Sequence, residues 1–93
     1  MKILTLQEIE KKLSLIPKWK YKNDFIECEY EFSSFTKAIH FLNQVAAISE
    51  TQQHHPVLKN DYHKVMVQVR THDANGVTQK DFDLAVAIEK LPL

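Results

Sequence analysis

The chain has 93 residues, and its 12 basic and 12 acidic side chains give a formal net charge of zero at pH 7. This length predicts a single domain over residues 1–93. The charges are dispersed, which argues against a nucleic-acid partner, because neutralising phosphates requires clustered Lys and Arg. No apolar run approaches the roughly 20 residues needed to span a bilayer, and the N-terminus lacks the apolar core of a signal peptide. We therefore expect a cytoplasmic protein without membrane contact, whose lone cysteine, Cys28, is buried and reduced.

The first predicted elements are a helix and a short strand. A capping box at Thr5 and Glu8 begins the helix, and apolar residues recur at helical spacing until Pro17 ends the run. A strand over residues 19–21 follows, and Asn-Asp at 23–24 predicts the turn of a hairpin.

The next two elements are a strand and a long helix. Residues 26–32 alternate between apolar and acidic side chains, which is typical of a half-buried antiparallel strand. A helix is predicted at about residues 34–52, starting at a serine cap. One stripe of this helix is expected to face the sheet: Phe35, Ala38, Ile39, Leu42, Val45, Ala46 and Ser49.

Proline and glycine divide the C-terminal half into further elements. Pro56 ends the second helix, since the residue before a proline is pushed out of the α region, and residues 57–58 form a short strand. Asn-Asp at 60–61 predicts a turn, and residues 62–71 form a long strand. Gly76, the single glycine, is expected in a turn that needs a positive φ.

The third helix starts at Thr78 and runs to Pro92. The element order α-β-β-α-β-β-α predicts an α+β fold, a two-layer sandwich in which a four-stranded antiparallel sheet carries helices packed on one face. Four large apolar residues lie off the sheet-facing stripes of the second and third helices, namely Phe41, Ile48, Phe82 and Val86. They predict an interface between copies of the chain, in a homodimer or homotetramer.

Three of the five histidines fall at the ends of predicted elements. His54 and His55 precede Pro56, and His72 follows the long strand. Because the intervening strands form an antiparallel hairpin, both ends lie at the same edge of the sheet, where functional loops are common. His55 precedes proline and is extended, so the two adjacent side chains diverge and are expected to have different roles. Imidazole, with an unperturbed pKa of about 6.5, can give or take a proton near neutrality.

These residues also have simpler interpretations. The three histidines could be ordinary polar loop residues or a zinc site, although divergent neighbours make joint ligation of one ion awkward. Asp81 could act only as the capping partner of Thr78, and Glu50 could be a solvated residue in the last turn of its helix. Tyr62 is expected to pack within a strand and Trp19 in the core.

One arrangement resembles a family signature: Glu50-x3-His54-His55-Pro56-x5-Tyr62-x9-His72-x8-Asp81. It is similar to the signature of the pterin-4a-carbinolamine dehydratase family, and the likeness extends over nearly the whole chain. The resemblance implies a lyase that binds a small-molecule pterin and needs neither a metal nor a cofactor. It further implies elimination of the 4a-hydroxyl from a 4a-hydroxytetrahydropterin, which gives a quinonoid dihydropterin.

The resemblance also implies roles for individual residues. His54 and His72 would be the acid–base pair, and His55 would mainly orient the pterin. The supporting residues would be Glu50, Asp81 and Pro56. The sequence departs from the family at residues 57–58, where Val-Leu replaces the usual acidic and aromatic residues, and this bears on substrate affinity.

A non-catalytic module is the alternative. Some members of the family act as dimerisation cofactors for a homeodomain transcription factor, and others could bind a pterin on the same fold without turnover. The intact histidines at positions 54, 55 and 72 favour catalysis.

Overall fold

The computed structural model describes residues 2–92, which form three α-helices, four strands and one 3-10 helix. The elements are α1 (Leu6–Leu13), β1 (Lys20–Lys22), β2 (Phe25–Glu31), α2 (Phe35–Gln52), β3 (Val57–Asp61), β4 (Lys64–Val69), the 3-10 helix (His72–Ala74) and α3 (Gln79–Glu89). The strands make one antiparallel sheet in the order β1-β2-β4-β3, so the predicted α+β fold and element order are confirmed. Within this part of the chain no helix combines the length and apolar character that crossing a bilayer requires.

The two central strands, β2 and β4, supply the sheet side of the core. Cys28 on β2 lies opposite Val67 on β4, and both are buried, as are their apolar neighbours two residues away on each strand. The period-two pattern of β2 therefore predicted the correct buried face. Burial raises the pKa of the Cys28 thiol to about 11, so this cysteine is a neutral core residue.

The first helix begins as predicted but ends early. Thr5 and Glu8 form the capping box, whereas the helix stops at Leu13 instead of continuing to Pro17. The chain leaves the helix in tight turns before Pro17, with the Ile16 N–H bonded to the Leu13 carbonyl at 3.0 Å.

Two turn predictions were wrong in position. The β3–β4 turn lies at residues 62–63, not at 60–61, because Asn60 stays in β3 and its side-chain amide donates to the backbone carbonyls of Tyr62 and Lys64. Tyr62 is therefore an exposed turn residue with a φ of 54°, not a packed strand residue.

At the later turn, Asn75 takes the positive φ of 59°, and Gly76 does not have a positive φ. A Cβ at Gly76 would lie 3.3 Å from the Ile3 side chain, so close packing is the structural reason for glycine there.

Helix α2 is rotated relative to the predicted stripe. Its buried residues are Ala38, Phe41, Val45 and Ser49. Phe41 packs against the rings of Tyr30 and Phe32, with centroid distances of 4.7 and 5.1 Å, and Phe82 of α3 is buried as well. The prediction that Phe41 and Phe82 belong to an interface between copies was therefore wrong, because α3 packs beside α2 and the two rings fill the core of one chain.

This rotation leaves a different part of α2 uncovered. The α2 stripe is defined here as Phe35, Ile39, Leu42 and Ala46. Phe35 and Ala46 are exposed, and Ile39 and Leu42 are half-buried. The apolar surface available for an oligomer therefore lies on the side of α2 that was predicted to face the sheet.

Candidate active site

The hairpin of β3 and β4 brings its two ends to one cavity, as expected from the antiparallel pairing. The cavity has a volume of about 280 Å³ and is lined by Gln53, His54, His55, Arg70, Thr71, His72, Asp73 and Lys80. This volume is near the lower end of the roughly 300–1,000 Å³ of small-molecule sites. A bicyclic ring suits such a space better than a large ligand.

The end of α2 sets the direction of the first two histidines. Gln53 caps the helix in the left-handed conformation with a φ of 51°, and the His54 N–H still bonds to the Ser49 carbonyl at 3.0 Å. The chain then enters β3 through Pro56, which does not line the cavity. A proline at this position restricts the backbone of His55 to extended conformations.

His54 is held by a buried carboxylate. Its ring Nε2 lies 2.6 Å from Oδ1 of Asp81, and the exposed fractions of the two side chains are 11% and 0%. The other oxygen of Asp81, Oδ2, accepts the Thr71 hydroxyl at 2.9 Å and the Thr78 backbone N–H at 2.7 Å. Because an ionised carboxylate only accepts hydrogen bonds, we assign the proton of the His54–Asp81 contact to Nε2 of His54. The second ring nitrogen, Nδ1, makes no hydrogen bond within residues 2–92.

Asp81 therefore makes two kinds of contact, and the sequence left room for both. Its side chain accepts from the backbone of Thr78, the N-cap of α3, and so completes the capping box. The same carboxylate anchors His54 across 27 residues of sequence.

His55 points to a different partner. Its Nε2 lies 2.5 Å from Oε2 of Glu50, and both side chains are more than half exposed. The two adjacent imidazoles thus bind separate carboxylates, as the proline after them predicts. Even a charged contact at such an exposed position contributes only about 0–1 kcal/mol to stability, so the Glu50–His55 hydrogen bond orients the ring without anchoring the fold.

His72 starts the 3-10 helix and is exposed. The loop that carries it is closed by the Thr71–Gly76 bridge, in which the Thr71 N–H donates to the Gly76 carbonyl at 2.9 Å. The His72 ring has no hydrogen-bond partner among the residues that the structure describes. It therefore sits on a firmly closed loop with both ring nitrogens free for a ligand or water.

Sequence reasoning missed two cations at the cavity. Arg70 precedes Thr71 at the end of β4, with its guanidinium carbon 5.6 Å from the centre of the Phe25 ring. Lys80 lies in the first turn of α3, next to Asp81. Neither forms an ion pair within the described part of the chain. Their positions beside Thr71 and Asp81 were the available signal.

Zinc ligation remained open from the sequence. Across residues 2–92 the structure has no group of three or more His, Cys, Asp and Glu side chains placed to hold a metal ion. The Nε2 atoms of His54 and His55 instead face separate carboxylates.

The comparisons with known proteins agree on one family. The family model described as Pterin 4 alpha carbinolamine dehydratase matches residues 2–91. A protein of Acidobacterium capsulatum with the provisional name pterin-4-alpha-carbinolamine dehydratase is 46% identical over 88 residues, which cover 95% of this chain and 96% of that protein. The crystal structure of a Brucella melitensis protein titled transcriptional coactivator/pterin dehydratase has a TM-score of 0.90 at 31% identity and covers 95% of this chain and 96% of its own.

A more distant structure shares the fold alone. It is described as a pterin dehydratase-like protein that is a RuBisCO assembly factor in the alpha-carboxysome, and it matches with a TM-score of 0.63 at 18% identity over 76% of this chain and 82% of its own. The match of the family model over residues 2–91 and the closer relatives decide the assignment. This chain belongs to the pterin-4a-carbinolamine dehydratase family.

Proposed function

We propose that this chain dehydrates a 4a-hydroxytetrahydropterin to the quinonoid dihydropterin. The C4a–O bond breaks, the N5 proton is lost, a C4a=N5 double bond forms, and the hydroxyl leaves as water. The observation that carries the proposal is the cavity of about 280 Å³ on which three imidazoles converge, one of them held by a buried carboxylate. Membership of the family supports the same reaction.

Proton transfer is assigned to His54 and His72. Because Asp81 accepts from Nε2 of His54, Nδ1 is the base that takes the N5 proton, and the carboxylate stabilises the imidazolium that forms. His72 is exposed and exchanges protons with water, which suits the acid that protonates the leaving hydroxyl. Positioned acid–base groups of this kind accelerate reactions by about 10²–10⁴-fold.

Binding and orientation are assigned to the remaining polar groups. His55, turned by Glu50, orients the pterin ring, and the cations Arg70 and Lys80 offer hydrogen-bond donors to its carbonyl and side chain. Val57, where the family usually has an acidic residue, is exposed and does not line the cavity. Leu58, where the family usually has an aromatic residue, does not line the cavity either. We therefore expect this departure to leave the proton transfers unchanged and to have less effect on substrate affinity than the sequence suggested.

The experiment is a direct assay of the dehydration. A 4a-hydroxytetrahydropterin is generated in situ, and formation of the quinonoid product is followed with the protein, without it, and with the protein plus a chelator. We expect acceleration over the buffer rate that the chelator does not change. A chelator-sensitive rate would revive the zinc interpretation. Pterin binding without any acceleration would support the non-catalytic alternative and overturn the proposal.

The oligomer belongs to the same proposal. A second copy of the chain is expected to cover the α2 stripe, because its apolar side chains remain exposed or half-buried in one chain. Ile39→Glu places a charge in the middle of this stripe and is expected to lower the solution mass from at least two chains to one. Sedimentation at micromolar concentration measures this, with His40→Glu on an exposed position of the same helix as the control. A monomeric native protein would contradict the prediction.

A further inference from the structure

We propose that Thr71 and Thr78 are positioning residues. Their hydroxyls form one chain of hydrogen bonds that fixes the Asp81 carboxylate, and through it the His54 ring, to the loop that carries His72. The role in turnover rests on the proposed function, whereas the geometric claim does not.

The direction of this chain follows from its end. A carboxylate only accepts, so the Thr71 hydroxyl must donate its single proton to Oδ2 of Asp81 at 2.9 Å. The contact of 2.6 Å between the two threonine hydroxyls can then form in one way, with Thr78 donating to Thr71. The Thr78 oxygen in turn accepts the Lys80 backbone N–H at 3.3 Å. In each of these three hydrogen bonds the proton therefore points towards Asp81, and hydrogen bonds aligned in this way strengthen one another.

Burial makes this series of hydrogen bonds sensitive to the loss of any one hydroxyl group. Thr71, Thr78 and Asp81 are 5%, 1% and 0% exposed, so water cannot replace a missing donor. Thr71 is also pinned through its backbone, since its N–H and carbonyl both pair with Gly76. The hydroxyl of Thr71 consequently has one position relative to Asp81, and the next residue along the chain is His72.

The arrangement joins the two proposed acid–base groups. The His54 ring is hydrogen-bonded to Asp81 on α3, and His72 follows Thr71 just after the end of β4. The pair of threonine hydroxyls is the polar contact that ties these two elements together behind the cavity. We infer that it sets the position of His54 relative to His72, which capping of α3 by Thr78 alone would not require.

The test replaces Thr71, because Thr78 also caps α3 and its loss would unfold the helix start. Thr71→Val keeps the shape and removes the hydroxyl, and Thr71→Ser restores it. In the native protein, the His54 ring is expected to show a protected Nε2–H signal in ¹⁵N–¹H NMR spectra. Thr71→Val should shift or broaden that signal and lower kcat roughly tenfold with KM little changed, and Thr71→Ser should recover both.

The possible outcomes separate the two proposals. A native protein without dehydratase activity but with the His54 signal sensitive to Thr71→Val would refute the proposed function and leave the positioning chain in place. An unchanged His54 signal and native kcat in Thr71→Val, with only a lower melting temperature, would refute the positioning role. Equal loss in Thr71→Val and Thr71→Ser would show that restoring the hydroxyl does not restore the site, and it would also refute the positioning role.

Discussion

Replacing His54 by alanine is expected to lower kcat of the dehydration by at least about 100-fold, while KM changes little. The substitution removes the base that Asp81 orients, and it leaves the cavity and the other two histidines in place. The rate of quinonoid product formation at saturating pterin measures the loss. Added imidazole is expected to restore part of the activity, because the vacated space adjoins the carboxylate that would stabilise its protonated form.

The control for this prediction is another histidine. His40 is exposed on α2 and does not line the cavity, so His40→Ala should keep native kinetics. His72→Ala is expected to lower kcat as His54→Ala does, and His55→Ala chiefly to raise KM. Native kcat/KM in all three cavity variants would show that the histidine assignment is wrong.

Part of the site could be predicted because it depends on local geometry. An antiparallel hairpin brings its two ends together whatever packs around it, so the sequence placed the three histidines at one edge. The network behind them depends on tertiary packing. Thr71 and Asp81 come into contact only when α3 packs against the end of β4. No periodic pattern in the sequence predicts that these two side chains are neighbours. Asp81 was recognisable as a cap and through the family resemblance, whereas Thr71 and Arg70 were marked only by their positions just before His72, and nothing in the sequence indicated their contacts.

The fold shows the same division between local and tertiary information. The caps at Thr5 and Thr78 and the alternation along β2 predicted elements correctly, since each involves neighbours in sequence. The orientation of α2 was not predictable in this way. Its apolar residues cover so wide an arc that two stripes fit the pattern, and contact with both the sheet and α3 selects the one that includes Phe41.

Phe41 therefore gives the second large expected effect, on stability. Phe41→Ala is expected to lower the free energy of unfolding by about 3–5 kcal/mol, the usual cost of deleting a buried aromatic ring. Phe41 is 1% exposed, and its loss leaves a cavity facing the rings of Tyr30 and Phe32. The total free energy of unfolding of a small domain is only about 5–15 kcal/mol. The variant should therefore unfold at a markedly lower urea concentration, as followed by circular dichroism.

Phe35→Ala on the same helix is the matched control. Phe35 is 48% exposed in one chain and stacks on the exposed ring of Tyr62, so its truncation should cost the single chain no more than about 1 kcal/mol. Because Phe35 also belongs to the α2 stripe, the two variants are first compared at a protein concentration low enough to dissociate the oligomer. The comparison also distinguishes a core role for Phe41 from the interface role that the sequence suggested. A core residue lowers stability by the same amount at every protein concentration, whereas an interface residue changes how the unfolding midpoint depends on concentration. A Phe41→Ala protein with a native monomer stability and a weakened oligomer would return Phe41 to the interface and show that α2 is turned the other way.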